Sequence, residues 1–433
     1  MTPLGLLIHG PEVIDDGEAE EAIETLKEAG FAVEVALAGI SGKTAVIDAG
    51  MQHIIDISKD RRPSETIDYF LNRGIDFIVL INHAKTEDSG IALAQGILRN
   101  FLLKRGLPLP LKETLTFSFL QLEYSSRIII RWFVKHGDDE IYGKIIGVFN
   151  ELIEKVPAKQ KLEFESRCRK ERDFVYRELK CVQPGEKIVV DGVVVGTVSD
   201  ETKNNSVTLV AKEGNLLRIV GGVMIKHNLE KLPPLDLEKE MIKTARVIRR
   251  TEPGRRVERA EMLYPDTTGK KKIACLFYTV ETLFPAVVRA DTDTDTDPDT
   301  GVVVAVTIGD DTTAIAGDIL KRLGIRMIGI TDGDADGLIT GIETGSLNEY
   351  AKFLPHKSFI IRVTAGKDDL IGEMVKQVIF NGRYELELHE DLETEFAELK
   401  RRILALAKDD ILGVLDSSNT KIQINTDNIT TEF

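Results

Sequence analysis

The stretch RMIGITDGDADGLITGIE, residues 326–343, decides the fold of the C-terminal part of the chain. Residues 327–330 form a short apolar run, which predicts a buried strand. Asp332, Asp334 and Asp336 follow it at alternate positions. Ligands bind parallel sheets at the carboxyl ends of strands, and three crowded carboxylates repel one another unless a cation neutralises them. The stretch therefore predicts a divalent-metal site, with Mg²⁺ as the expected ion and Ca²⁺ or Mn²⁺ as alternatives.

Two other interpretations fit the same residues. The aspartates could cap the next helix and form a polar turn without binding a metal. Asp332, Asp334, Asp336, Gly337 and Glu343 also satisfy the calcium-loop pattern of an EF-hand. An EF-hand requires a helix directly before the loop, whereas a β-type run precedes the first aspartate here. The flanking sequence therefore favours a metal site at the end of a strand.

Three segments around this strand extend the pattern. KKIACLFYTVE ends at Glu281, VVVAVTIGDDTTAIAGDILKRLGI contains Gly309 and a helix, and KSFIIRVTAGKDDL contains Lys367, Asp368 and Asp369. With these segments, residues 270–380 resemble the Toprim domain of primases and topoisomerases.

The resemblance implies an α/β domain with Mg²⁺-dependent phosphodiester or phosphoryl chemistry. It implies Asp332 and Asp334 as metal ligands and catalytic residues, assisted by Asp336 and Glu281. In the Toprim domain the glutamate is usually followed closely by a turn with glycine, whereas Glu281 is followed by TLFPAVVRA. Asp310 or Asp311 are therefore alternative acid/base residues. The whole chain also resembles an uncharacterised, largely archaeal protein family.

The N-terminal part alternates strands with helices. PLGLLIHG, FAVEVAL and DFIVLINHA predict strands, and residues 18–29, 64–72 and 89–105 predict helices. This alternation predicts a parallel-sheet, Rossmann-like α/β domain. Helical patterning after residue 110, including IIIRWFVKHG, predicts a helical extension, so the expected domain covers residues 1–157.

The rest of the chain divides by changes in pattern. Residues 158–181 predict a charged helix or linker, and the β-branched runs of 182–234 predict a small β-barrel-like module. Residues 235–272 predict a basic helix, over 235–250, and a loop. A Toprim-like α/β domain is expected over 273–390, and a C-terminal helix and polar tail over 391–433. The expected fold class is thus multidomain α/β, and the acidic run DTDTDTDPDTG at 291–301 predicts a mobile loop.

The charge distribution is uneven. The formal net charge is −15, which argues against a cationic surface for indiscriminate nucleic-acid binding. Residues 243–272 nevertheless contain ten lysines and arginines, from which the candidate nucleic-acid-binding residues are Arg249, Arg250, Arg255, Arg256, Lys270 and Lys271. These side chains could hold a phosphate backbone near the metal. The alternative is a solvated, charged helix face.

Two weaker motifs lie in the N-terminal domain. GISGKTAVIDAG, residues 39–50, could cradle a phosphate or nucleotide through Gly42, Lys43 and Thr44. It lacks the first glycine of a Walker loop, which favours a plain strand-to-helix turn. His9 and His83 stand at predicted strand ends, where ligands bind such sheets, although a lone histidine there is more often structural.

The remaining composition is typical of a protein of the reducing cytoplasm. The three cysteines have no paired spacing, and no apolar run is long enough to span a membrane. The sequence leaves three functions open. They are metal-dependent phosphodiester or phosphoryl chemistry on nucleic acid, metal-dependent binding of a nucleotide or other phosphorylated ligand, and a structural Ca²⁺ or Mg²⁺ site in an assembly protein.

Overall fold

The chain divides into two compact units, the first mainly from Met1–Arg167 and the second from Cys168–Thr251 and Glu261–Phe433. Buried apolar residues form core clusters in both units. The computed structural model describes residues 1–59, 61–106, 115–156, 168–190, 193–202, 204–225, 234–238, 240, 242–245, 250, 269–288, 300–333 and 354–417.

The first unit is a mixed sheet flanked by helices. Its strands are β1 (Thr2–His9), β2 (Phe31–Ala38), β3 (Phe77–Asn82), β4 (Ser118–Glu123), β5 (Ile128–Phe133) and β6 (Ile153–Lys155). Its helices are α1 (Glu12–Asp15), α2 (Glu18–Glu28), α3 (Ile40–Asp48), α4 (Pro63–Asn72), α5 (Glu87–Lys104) and α6 (Asp139–Val148). The strand order is β2-β1-β3-β4-β5-β6, and only β4 and β5 pair antiparallel.

Local sequence explains these elements. Every residue of β3 is buried, as expected of a central strand in a largely parallel sheet. The hydroxyl of Thr86 accepts the Ser89 N–H and caps α5, and α4 begins at Pro63, whose fixed φ suits a first helical turn. Gly30 and Gly74 follow helices with φ of 86° and 76°. The predicted strands and helices up to residue 105 are confirmed.

The prediction of helical structure over IIIRWFVKHG is wrong. Residues Ile128–Phe133 form β5, which pairs antiparallel with β4 and extends the sheet. The apolar run is short and β-branched, and such a run has no period that separates a buried strand from a buried helix. A helix does follow at Asp139–Val148, before the short strand β6.

The second unit begins with an antiparallel β-module. Its strands are β7 (Cys168–Glu171), β8 (Phe174–Lys180), β9 (Lys187–Val190), β10 (Val193–Val198), β11 (Ser206–Lys212), β12 (Asn215–Val220), β13 (Gly222–Met224) and β14 (Ile242–Ala245). They form two sheets in the orders β13-β10-β9-β14 and β12-β11-β8-β7, whose apolar side chains share one core.

Two helix predictions in this region are wrong. The charged helix or linker expected over 158–181 contains β7 and β8 in its described part, and the helix expected over 235–250 contains β14. In β8, FVYRELK pairs along its whole length with β11, so partner strands rather than helical period decide its conformation.

The second unit ends with a six-stranded α/β sheet in its described part. The strands are β15 (Lys271–Phe277), β16 (Thr300–Ile308), β17 (Arg326–Thr331), β18 (Phe359–Val363), β19 (Glu385–Leu388) and β20 (Ile411–Asp416), in the order β19-β15-β16-β17-β18-β20. The helices are α7 (Leu283–Val287), α8 (Asp310–Leu323), α9 (Asp368–Val378) and α10 (Leu392–Ala407). Strands β15 to β18 are parallel neighbours. The antiparallel strands β19 and β20 form the two edges of the sheet.

The C-terminal helix is confirmed, but the polar tail expected after it is wrong up to Ser417. Residues Ile411–Asp416 form β20, which pairs antiparallel with β18. The predicted acidic loop lies mainly outside the described residues, and its last two residues begin β16. The protein is therefore a mixed α/β protein with sheets that contain parallel strands. Among the residues described, no helix combines the length and apolar character needed to cross a membrane.

Candidate functional site

Carboxylates collect at the carboxyl ends of the parallel strands in the second unit. We call the group Asp310, Asp311, Asp332 and Asp368 the acidic edge. Asp310 and Asp311 follow β16, Asp332 follows β17, and Asp368 comes shortly after β18. Because these three strands are parallel neighbours, their ends meet at one edge of the sheet.

A sharp turn buries the first of these carboxylates. Gly309 has a φ of 93°, and its N–H donates to the Ile330 carbonyl at 2.8 Å, which fastens the turn to β17. Asp310 begins α8 with only 4% of its surface exposed. The hydroxyl of Thr331, at the end of β17, donates a short hydrogen bond to its carboxylate. Two neighbouring strand ends are thus joined through a buried carboxylate.

Asp311 links the acidic edge to the β-module. Its carboxylate accepts the N–H of Val194, the second residue of β10, at 3.0 Å, and 4% of its surface is exposed. A buried carboxylate is expensive to desolvate and needs donors of this kind. Asp311 therefore has a structural task, whereas Asp310 lies closer to the predicted metal ligand.

Asp332 and Glu281 are the predicted metal ligands that the structure describes, and Asp332 directly follows β17. Its carboxylate accepts the N–H of Gly366 at 2.6 Å, in the turn between β18 and α9. The residue is half-buried. The acidic edge therefore spans three strands, with Asp332 at its centre.

The other predicted site residues of the second unit divide into four groups. Glu281 is half-buried between β15 and α7, on the same edge of the sheet as Asp332. Asp334, Asp336, Arg249, Arg255 and Arg256 lie outside the described residues. Lys270 and Lys271 stand at the start of β15, so the length of that strand separates them from the acidic edge. Arg250 accepts a hydrogen bond from Arg322 through its backbone carbonyl at 2.9 Å.

A pocket of about 620 Å³ lies beside the carboxyl end of β15. Its charged and aromatic lining includes Tyr278, Asp369, Lys376 and Tyr384. The Lys376 ammonium donates to the Tyr384 hydroxyl at 2.8 Å, and this hydrogen bond raises the pKa of the lysine. Burial raises the pKa of Tyr278, so its hydroxyl keeps its proton. The lining also includes the carboxylates of Asp369, Glu373 and Glu385, so the pocket offers one ammonium group beside three acidic side chains.

The predicted phosphate motif in the first unit forms the strand-to-helix turn that its sequence favours. Gly39 has a φ of 98°, and α3 begins at the next residue. Lys43 and Thr44 are 1% and 2% exposed, and the Thr44 hydroxyl donates to the Ile40 carbonyl at 3.1 Å inside the helix. Both side chains are directed into the protein. A phosphate site at Gly42, Lys43 and Thr44 stays a prediction.

His83 lies in a cluster of metal-ligating side chains in the first unit. Its Nδ1 is 3.0 Å from Glu18 Oε2 and 3.7 Å from Asp16 Oδ2. One ligand atom from each of the three residues lies within 4.8 Å of the others. We call Asp16, Glu18 and His83 the histidine cluster. His9 ends β1 in the same unit but is not a member.

Sheet topology explains why these three side chains meet. Strand β1 lies between β2 and β3. The chain therefore continues from β1 to a neighbour on one side, whereas β3 lies on the other side of β1. Asp16 and Glu18 belong to the segment after β1, and His83 directly follows β3. Ligands bind open α/β sheets at this topological switch point. The sequence interpretation found only His83, because nothing in Asp16-Gly17-Glu18 indicates that it faces the end of a distant strand.

A buried polar network forms hydrogen bonds to the residues before and after His83. Asn82 donates a short hydrogen bond to Glu123, which is fully buried and also accepts the N–H groups of Ala84 and Ser125. Gln121 donates to Asn82 at 2.9 Å and accepts from the Trp132 indole at 3.0 Å. The backbone on both sides of His83 is therefore held in place.

Burial and charge shape the electrostatics of the histidine cluster. Desolvation raises the pKa of Glu18, and the hydrogen bond from His83 lowers it by less. The nearby carboxylates of Asp16 and Glu123 raise it further. The Tyr124 hydroxyl is buried with no hydrogen-bond partner among the described residues, and its pKa is raised by burial and by Glu18. Negative charge is thus concentrated at a partly desolvated position.

These observations define a mixed α/β protein in which, among the described residues, Asp16, Glu18 and His83 form a group of potential metal ligands, while further aspartates follow the parallel strands of the second unit. The chain belongs to a family described as an uncharacterized protein conserved in archaea (DUF2117), which matches residues 6–383. It is also similar to the uncharacterized protein MJ0065 of Methanocaldococcus jannaschii, with 34% identity over 345 residues, 78% of this chain and 83% of that protein. The resemblance of the whole chain to an uncharacterised archaeal family is thereby confirmed.

Proposed function

We propose that the second unit binds Mg²⁺ at the acidic edge and acts on a phosphoryl or phosphodiester group. The observation that carries the proposal is the placement of Asp310 and Asp332 directly after adjacent parallel strands, where the Thr331 hydroxyl donates to Asp310 and the Gly366 N–H donates to Asp332. Carboxylates at the carboxyl edge of such a sheet are positioned for a ligand rather than for the core. The Toprim resemblance agrees with this proposal.

The donor set suits a hard cation. Every candidate ligand at the acidic edge is a carboxylate, and Mg²⁺ prefers oxygen ligands while keeping several waters. Asp332 is half-buried and retains a second oxygen besides the one bonded to Gly366. Asp332 would hold the ion, together with Asp334 and Asp336 as the sequence predicts. A bound Mg²⁺ supplies charge stabilisation to phosphoryl oxygens.

The protein side chains would then position substrate and move protons. Glu281 lies on the same edge and is half-buried, which leaves it accessible as an acid/base residue. Asp310 is held by Thr331 and would keep the β16 and β17 ends in register around the ion. Asp311 acts further away, by fastening the β-module to this edge.

Two classes of substrate are candidates, nucleic acid and a small phosphorylated ligand. The basic segment, residues 243–272, favours nucleic acid as the substrate, and Lys270 and Lys271 of this segment lie at the amino end of β15. A second candidate, metal-dependent binding of a small phosphorylated ligand, is favoured by the pocket that contains Lys376 and Tyr278. One assay distinguishes the two candidates, because they require different substrates.

The test compares the full chain with Asp332→Asn, and uses Asp409→Asn as a matched exposed control. Single-stranded and duplex DNA and RNA, nucleoside triphosphates and a phosphomonoester are incubated with Mg²⁺ or with EDTA. We expect turnover of at least one phosphate substrate by the wild type and Asp409→Asn, at least a hundredfold less by Asp332→Asn, and none with EDTA.

Thermal unfolding separates the remaining outcomes. A Mg²⁺-dependent rise in Tm that Asp332→Asn abolishes, without turnover but with ligand binding, would replace catalysis by the second candidate. The same rise without turnover or ligand binding would indicate a structural cation. Equal Tm values with Mg²⁺ and EDTA, together with equal activities of wild type and Asp332→Asn, would refute the proposed site.

A further inference from the structure

We propose that the first unit contains a second metal site, in which Asp16, Glu18 and His83 bind one divalent first-row transition-metal ion such as Zn²⁺, Fe²⁺ or Co²⁺. This site is independent of the acidic edge, because none of its residues belongs to the second unit. The inference rests on the geometry of the ligand atoms, on the types of donor and on the position of the cluster in the sheet.

The distances match a shared ion. Ligands at about 2.0–2.2 Å from one metal lie roughly 3.0–3.5 Å from each other in tetrahedral or octahedral arrangements. The observed separations from His83 Nδ1 are 3.0 Å to Glu18 and 3.7 Å to Asp16, and all three ligand atoms are within 4.8 Å. Binding of one ion would require the Asp16 carboxylate to come slightly closer to His83 Nδ1 than 3.7 Å.

The types of donor select the class of ion. Imidazole suits Zn²⁺, Fe²⁺, Ni²⁺ and Cu²⁺, whereas Mg²⁺ and Ca²⁺ prefer sets made of oxygen alone. Two carboxylates with one imidazole therefore favour a borderline transition metal, whose charge would be balanced by Asp16 and Glu18. The acidic edge, which offers carboxylates only, favours the opposite class.

The position of the cluster argues against an ordinary surface ion pair. It lies at the switch point between β1 and β3, which stay paired up to His9 and Asn82. The side chains of Glu18 and His83 are only 18% and 29% exposed, so their positions are restricted.

The support beneath His83 is what a metal ligand requires. Asn82 and Ala84, on either side of it in the chain, are both hydrogen-bonded to the buried Glu123. These hydrogen bonds restrict the chain around His83 and so limit the positions that its imidazole can take.

Metal titration of the full chain tests the proposal. The protein is stripped with a chelator and titrated with Co²⁺, with binding followed by calorimetry and by visible absorption. The variants Glu18→Gln and His83→Asn are compared with Glu20→Gln, an exposed position on the same helix, and with His136→Asn, an exposed histidine. Asp332→Asn is titrated in parallel, because Co²⁺ also binds carboxylates.

We expect the wild type, both exposed controls and Asp332→Asn to bind one equivalent of Co²⁺ with the same Kd and spectrum. Glu18→Gln and His83→Asn should raise that Kd at least tenfold, and His83→Asn should also remove the contribution of nitrogen to the Co²⁺ spectrum. Circular dichroism of the metal-free proteins checks folding, and Glu18→Gln decides the result if His83→Asn does not fold.

Two results would overturn the proposal. One is an unchanged Kd in both Glu18→Gln and His83→Asn. The other is loss of Co²⁺ binding in Asp332→Asn alone, which would assign the ion to the acidic edge. Since the Mg²⁺-dependent activity is measured with different variants, failure of either metal site leaves the result for the other intact.

Discussion

The two α/β sheets present different chemistry at equivalent edges. In the first unit, two carboxylates and a histidine lie together beyond the ends of β1 and β3, where the strand order changes direction. In the second unit, β15 to β18 follow in chain order, and the described ends of β16 and β17 carry aspartates. Similar backbone architecture therefore supports different donor sets, because side chains at strand ends are not needed to fill the core.

The manner of support also differs. The histidine cluster stands on a buried network of neutral amides around Glu123, whereas the acidic edge is tied by single hydrogen bonds from Thr331, Val194 and Gly366. A connected network is more sensitive to the loss of one member than isolated bonds are. Substitutions in the network around Glu123 should therefore lower the free energy of unfolding more than substitutions at the acidic edge.

The largest expected effect is on the buried network. In Gly90→Ala the new Cβ would lie 2.3 Å from a Glu123 carboxylate oxygen, so the fully buried glutamate would have to move. We expect the free energy of unfolding to fall by about 3 kcal/mol or more, because the helix is overpacked and a buried charge loses donors. Urea unfolding at pH 7 measures the change.

The same helix provides the control for this prediction. Gly96 also lies in α5, and a Cβ there would meet nothing within 4 Å. Gly96→Ala should stabilise the protein by about 0.5–1 kcal/mol, since alanine favours helix. Equal losses from both substitutions would show that helix geometry, and not the contact with Glu123, determines the effect.

The second prediction exchanges donor chemistry between the two edges. His83→Glu would convert the histidine cluster into a set made of carboxylates only, like the acidic edge. We expect the Kd for Zn²⁺ to rise about 100-fold, or roughly 2.7 kcal/mol, with little change for Mg²⁺, because imidazole favours transition metals. Competition titrations with the two ions measure both values, and a parallel loss for both would contradict a role of nitrogen in selectivity.

The third prediction removes one bond from the acidic edge. Thr331→Val keeps the shape of the side chain but deletes the hydroxyl that donates to the buried Asp310. We expect a loss of about 1–3 kcal/mol in the free energy of unfolding, the usual result of depriving a buried acceptor of its donor. Thr364→Val, at an exposed threonine, should change it by less than about 0.5 kcal/mol. Similar values for both variants would deny that the acidic edge needs this bond.

The smallest effect concerns charges at the other end of the same sheet. Glu393 accepts hydrogen bonds from Arg326, at the start of β17, and from Lys357, and these bonds lower its pKa to about 2. Because the folded pKa lies below the ordinary value of 4.5, the stabilisation is complete above pH 4.5 and is lost as the pH falls toward 2.

Glu393→Gln should therefore lower the urea midpoint slightly at pH 7, and the difference from wild type should shrink as the pH falls below 4.5. Glu390→Gln, a nearby exposed control, should differ little from wild type at either pH. A difference that grows on acidification would contradict the assigned direction of the pKa shift.

Sequence pattern predicted the alternating elements well where each element was long or bounded by glycine. The elements from β1 to α5 and the helix Leu392–Ala407 follow from apolar period and from stops such as Gly30 and Gly74. The pattern failed at β5, β8 and β14, which are short and partly charged. Arg131 in β5 is accommodated over the Tyr142 ring at 4.7 Å, a tertiary contact that no local pattern encodes.

The candidate ligands divide in the same way. Asp332 could be predicted because it follows a buried strand directly, and topology then placed it near Asp310. His83 could be singled out as a residue at a strand end, but its partners could not. Asp16 and Glu18 are 65 or more residues away in the chain, as the Glu18–His83 contact shows, and only strand order brings them close.

By itself, the sequence determined that this is an α/β chain with carboxylates after the strand Arg326–Thr331, because apolar period and strand-terminal polarity are local properties. The tertiary structure alone decided that β1 lies between β2 and β3, which places a histidine against two carboxylates from another segment. The physical reason is that strand order is set by the packing of whole elements, whereas ligand geometry depends on which strand ends become neighbours.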